Sequence, residues 1–130
     1  MRELSVTIDR SPAACWKVLT DANAFTGWVP GLRRVRVIAV DDQKRPREVQ
    51  FEFMTSRTYS LVYSYGENEM TWEPHLGKRD AVRGFARVEP EASGTKLTYG
   101  LEEGDARTSA EQIDLESIVT SFARWMQQAR

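Results

Sequence analysis

The chain has 130 residues, 41% hydrophobic and 28% charged, with a formal net charge of −1 and a single cysteine. A chain this long fills one domain, 1–130, and buries about two-thirds of its unfolded surface, so the core needs no disulfide or metal. The balanced charge excludes the clustered Lys and Arg of a nucleic-acid binder, no apolar run reaches the roughly 18 residues of a membrane span, and the lone Cys15 with a leaderless N-terminus implies a cytoplasmic protein.

The first element is a strand over 3–9. Leu4, Val6 and Ile8 alternate with Ser5, Thr7 and Asp9, the period of a half-buried strand. Ser11 and Pro12 then open a helix, as N-cap and first helical residue. Its apolar stripe is Ala14, Cys15, Val18 and Leu19. Asp21 caps a second short helix over 22–27, which ends at Gly27 and the Trp28-Val29-Pro30-Gly31 segment.

A meander follows, with strands expected over 33–41, 48–55, 58–65, 69–75, 81–89 and 95–103. Turns fall at 41–46, 66–68, 76–79 and 93–94. Alternation groups Val49, Phe51 and Phe53 on one face, then Tyr59, Leu61, Tyr63 and Tyr65, then Met70 and Trp72. Further on it groups Val82, Gly84, Ala86 and Val88, opposite Arg83, Phe85 and Arg87, and finally Leu97, Tyr99 and Leu101. Such strands joined by short turns form an antiparallel sheet. Arg33, Arg34 and Arg36 suit an edge strand guarded against pairing.

The tail is a helix. Leu115, Ile118, Val119, Phe122, Trp125, Met126 and Ala129 stand at offsets 0, 3, 4, 7, 10, 11 and 14, one continuous apolar stripe. Ser109 with Gln112, or Thr108 with Glu111, supplies a capping box. A sheet with one apolar face needs a cover, and this helix provides it.

Chemistry is sparse. His75 and Cys15 form no metal-ligand cluster, so no metal is expected. No glycine-rich phosphate loop is present, and no cofactor is expected. Cys15, on the apolar stripe, reads as a small hydrophobe. Candidates for catalysis are His75, Arg83 and Tyr63. Alternation from Trp72 points His75 away from the apolar face, unless Pro74 brings a bulge that inverts the parity. Arg83 lies opposite Val82 and Gly84. Four Trp, four Tyr and five Phe are an ample supply of pocket walls.

The order of elements resembles the helix-grip fold of the START and Bet v 1-like superfamily, in its bacterial polyketide cyclase/dehydrase and lipid-transport branch. Ile8 to Pro12 with Cys15 to Leu19 is similar to that family's first strand and helix. Asp21 to Phe25 and Trp28 to Leu32 resemble its second helix and the turn into strand two. Gly84 to Pro90 with Gly94 to Tyr99 resembles its penultimate hairpin. The resemblance implies an α+β helix-grip fold. A curved antiparallel sheet of about seven strands wraps a long C-terminal helix, with two short helices after strand one.

It also implies a cavity between sheet and helix that binds a hydrophobic small molecule, lipid-like or aromatic. The expected walls are Phe51, Phe53, Tyr59, Tyr63, Trp72, Tyr99, Ile118, Phe122 and Trp125, with Trp28 near the mouth. The alternative it allows is an aromatase/cyclase-type enzyme acting on a reactive poly-ketone, with one acid–base group in the pocket.

Overall fold

The computed structural model describes residues 2–75, 83–102 and 114–128. The elements run β1 (Arg2–Ile8), α1 (Pro12–Leu19), a 3-10 turn (Ala22–Ala24), α2 (Phe25–Trp28), β2 (Leu32–Val40) and β3 (Pro46–Phe53). They continue with β4 (Thr58–Tyr65), β5 (Glu69–Pro74), β6 (Gly84–Glu91), β7 (Gly94–Leu101) and α3 (Leu115–Gln128). The turn expected at 76–79, Val82, both capping-box registers and Ala129 lie outside the described residues.

All seven strands join one antiparallel sheet in the order β1-β7-β6-β5-β4-β3-β2. The meander therefore runs consecutively from β2 to β7, and β1 closes beside the last strand. Registers align the inward side chains in rows. One row carries Tyr63, Trp72, Gly84 and Leu101 across β4, β5, β6 and β7. The next carries Tyr65, Met70, Ala86, Tyr99 and Leu4. On the β3 side, Phe51 faces Tyr59 and Val49 faces Leu61. The outward face is polar and ion-paired, as in Arg87 with Glu69 at 3.3 Å.

Local chemistry sets the connections. The Ser11 hydroxyl accepts from the Ala14 N–H and starts α1. The Asp21 carboxylate accepts from the Asn23 N–H and starts the 3-10 turn. Gly31 stands at φ +73°, a left-handed value that glycine adopts without strain, and turns the chain into β2. Asp41 accepts from the backbone N–H groups of Gln43 and Arg45, closing the β2–β3 hairpin. Desolvation pushes the Asp41 carboxyl up, but those bonds and the Arg45 guanidinium together outweigh it and hold the carboxyl below its ordinary value.

α3 lies nearest to β1, β7 and α2. Its stripe is buried as expected at Leu115, Ile118, Val119, Phe122 and Met126. The helix end is tied down by the Arg10 guanidinium, which donates to the Met126 carbonyl at 2.7 Å. Arg10 is itself fixed because its carbonyl accepts from the Thr95 hydroxyl.

α1 seals the sheet on Cys15 and Leu19, both fully buried. Burial pushes the Cys15 thiol up, although a hydrogen bond with Thr95 and the Arg10 charge act the other way. The sheet is α+β helix-grip architecture, with the helix seated toward the β1–β7 end.

Two strands leave apolar side chains uncovered. The β1 face is buried only at its end: Ile8 is enclosed, Val6 is half-buried and Leu4 is exposed. The helix does not extend over the start of β1. Edge strand β2 also leaves Val37, Ile38 and Val40 exposed. It carries register irregularities at Leu32/Arg34 and along Val37 to Val40, which break up an otherwise sticky edge.

Candidate ligand pocket

With α3 seated on β1 and β7, the inner faces of β3, β4 and β5 keep space above them. A pocket of about 50 Å³ lies there. Its floor is Phe51, Phe53, Tyr59, Leu61, Tyr63, Met70, Trp72, Tyr99 and Leu101. Its roof is Leu19 from α1, Phe25, Trp28 and Val29 from the α2 segment, and Ile118 from α3.

Ring contacts organise the floor. Phe51 stacks on Phe53 and on Phe25 at centroid distances of 6.3 and 5.7 Å. Tyr63 meets Trp72 at 5.9 Å, and Trp72 meets Tyr99 at 5.2 Å. The last contact depends on Gly84. A Cβ there would fall 2.8 Å from Trp72 Cζ2 and 2.4 Å from the Gly100 carbonyl oxygen. The bare backbone lets the indole lie across the sheet toward Tyr99.

Eight of the ten residues expected to face the pocket do line it: Trp28, Phe51, Phe53, Tyr59, Tyr63, Trp72, Tyr99 and Ile118. Phe122 and Trp125 do not. Phe122 is fully buried and meets Trp28 edge-on at 4.9 Å. The Trp125 ring lies against Gly27, so close that a Cβ there would be 2.5 Å from it. Both side chains clamp α2 to α3 instead of facing the space. The Ser121 hydroxyl strengthens the clamp by donating to the Trp28 carbonyl at 2.5 Å. α2 is a single turn of four residues, so these contacts hold it in place.

The weak catalytic candidates separate. Tyr63 is in the floor. His75 is not. Pro74 pairs with Leu61 on the inner face, so no bulge inverts the parity. His75 is 48% exposed on the outer side, with Nδ1 3.3 Å from the Glu48 carboxylate. Arg83 is 58% exposed, with Nε 3.3 Å from Glu102. Neither lines the pocket.

The polar side-chain groups of the lining are the phenols of Tyr59, Tyr63 and Tyr99 and the indoles of Trp28 and Trp72. Burial pushes the Tyr63 hydroxyl far above the ordinary phenol value, and the neighbouring Tyr99, Tyr65 and Tyr59 reinforce this. Burial does the same to Tyr99 and Tyr59, with Arg57 partly opposing it at Tyr59. Tyr65, at the end of the row, donates to the Pro46 carbonyl beneath the Arg45 guanidinium. Trp28 Nε1 is the one fully occluded side-chain polar atom without a hydrogen bond among the described residues. Among those residues no cluster of three or more His, Cys, Asp or Glu stands together. Nor is any described helix long and apolar enough to cross a membrane.

The sequence reading missed Leu19, Phe25, Val29, Leu61, Met70 and Leu101 as lining. Leu61, Met70 and Leu101 share the alternating face already assigned to their neighbours. Phe25 stands three residues before Trp28, one helical turn away, which was a usable signal.

A START superfamily protein from Mycobacterium smegmatis superposes with a TM-score of 0.76 at 14% identity, covering 99% of this chain and 98% of that one. A Thermus thermophilus protein gives a TM-score of 0.77 at 14% identity, covering 98% and 97%. A STAR-related lipid transfer protein fragment from Xanthomonas axonopodis gives 0.70 at 15% identity, covering 97% and 85%. A search of the curated proteins found no match. A family model described as polyketide cyclase / dehydrase and lipid transport matches residues 3–127, and the chain belongs to that family.

Proposed function

We propose that the protein binds a hydrophobic small molecule in the pocket between the β3–β5 floor and the α2–α3 roof. The observation that carries this reading is the lining itself: a continuous aromatic and aliphatic wall, interrupted only by phenol and indole groups. Burying apolar ligand area there contributes roughly 25 cal/mol per Å². The family description and the STAR-related neighbour supply lipid-like or polyketide-like molecules as the ligand class.

A pocket of about 50 Å³ is small beside the ~150 Å³ cavity that encloses benzene in an engineered protein core. A ligand therefore enters by displacing part of the roof. The single turn of α2 is the element with least intrinsic stability to resist this.

Binding is favoured over cyclase chemistry because His75 and Arg83 face away from the lining, and the pocket phenols are held protonated. A protonated phenol donates a hydrogen bond but does not abstract a proton. Native mass spectrometry of the purified full chain, before and after organic extraction, tests the reading. The expected result is an adduct of hydrophobic character that extraction removes. Identical masses before and after, with no thermal shift from any added aromatic compound, would contradict it.

A further inference from the structure

Three of the pocket's polar atoms are phenol oxygens, and none has a hydrogen-bond partner among the described residues. Tyr65, by contrast, has found the Pro46 carbonyl. Tyr59, Tyr63 and Tyr99 all line the pocket, so their side chains border its space. Tyr59 and Tyr99 are near enough to Tyr63 to disfavour its ionisation, and Tyr59 acts the same way on Tyr99. Tyr63 and Tyr99 are buried in the floor, whereas Tyr59 is half-buried with Arg57 over its ring at 5.9 Å.

Among the described residues no Lys, Arg or His lines the pocket. A carboxylate placed there would give up its hydration with no countercharge facing it from those residues. A neutral oxygen loses far less, and the phenols can satisfy it.

We propose that Tyr63 and Tyr99 are specificity-determining residues of this pocket. Its occupant is a molecule of about one ring that carries an uncharged oxygen acceptor, not a carboxylate. This rests on the pocket being a binding site, and it names what that site selects. The ring meets the Phe51, Trp72 and Ile118 surfaces, while the ligand oxygen takes hydrogen bonds from the two buried hydroxyls. A site with buried donors discriminates strongly against an analogue that leaves them unpaired.

The test uses three similarly shaped probes: ethylbenzene, acetophenone and benzoate, titrated into the full chain by NMR. Acetophenone is expected to bind more tightly than benzoate. In Tyr63→Phe/Tyr99→Phe, the ratio of acetophenone to ethylbenzene affinity is expected to fall by about tenfold, with each single variant giving part of the loss. Thermal unfolding of each variant verifies that it is folded, and the rings are retained in all of them. An unchanged ratio in a folded variant, or benzoate as the tightest probe, overturns the proposal. Binding of none of the three probes overturns the pocket reading beneath it, which is a distinguishable outcome.

Discussion

Raising the pH from about 9 to about 11 is expected to strip the protein of about 4 kcal/mol of stability. Burial raises the native values of Tyr59, Tyr63 and Tyr99 above that of a free phenol. The unfolded chain releases these protons near pH 10, while the native chain keeps them. Above that point the native state binds more protons than the unfolded state, so stability falls as pH rises. Below it, the contribution is fully present. Each buried phenol costs about 1.4 kcal/mol for the one pH unit above pH 10 and almost nothing below it, and three give the total. Against a typical margin of about 5–15 kcal/mol, that is a large fraction. Urea midpoints across the range, read beside tyrosinate absorbance, check it. Tyrosinate is expected to appear together with unfolding. Full ionisation of all the tyrosines near pH 10 in a still-folded protein would refute the burial argument.

Phe122→Ala is expected to cost about 3–5 kcal/mol, the range for deleting a fully enclosed phenyl ring. The ring has no exposed surface and meets Trp28 edge-on at 4.9 Å. Its loss opens a cavity beneath the pocket roof and frees one side of the clamp on α2. Denaturant unfolding should therefore show the stability loss, and native-state amide exchange should quicken over 22–29. A cost under about 1 kcal/mol would mean that the roof does not rest on this residue.

Most of the floor was legible in the sequence because strand alternation has a period of two. Spacing put Phe51, Tyr63 and Trp72 each on its strand's apolar face, the family resemblance turned that face toward a cavity, and the pocket is lined by all three. His75 followed the same rule, since no bulge intervened. The roof was less legible. Helical periodicity marks a stripe as buried but does not say against what. Phe122 and Trp125 are on the stripe, yet α2 claims both. The partner of Trp125 is Gly27, a residue with no side chain to announce a contact. Gly84 is a similar case: its role appears only when the register sets it beside Trp72 and Gly100. Leu4 shares the apolar face of β1 with Ile8 yet is exposed, because alternation cannot tell where the covering helix stops.

The central claim is that the pocket takes up a hydrophobic ring. The most direct measurement is of intermolecular NOEs between a bound single-ring probe and the protein methyl groups. The account predicts NOEs to Leu61, Met70, Leu101 and Ile118, which surround the pocket. NOEs confined to the exposed Val37, Ile38 and Val40 of edge strand β2 would contradict it.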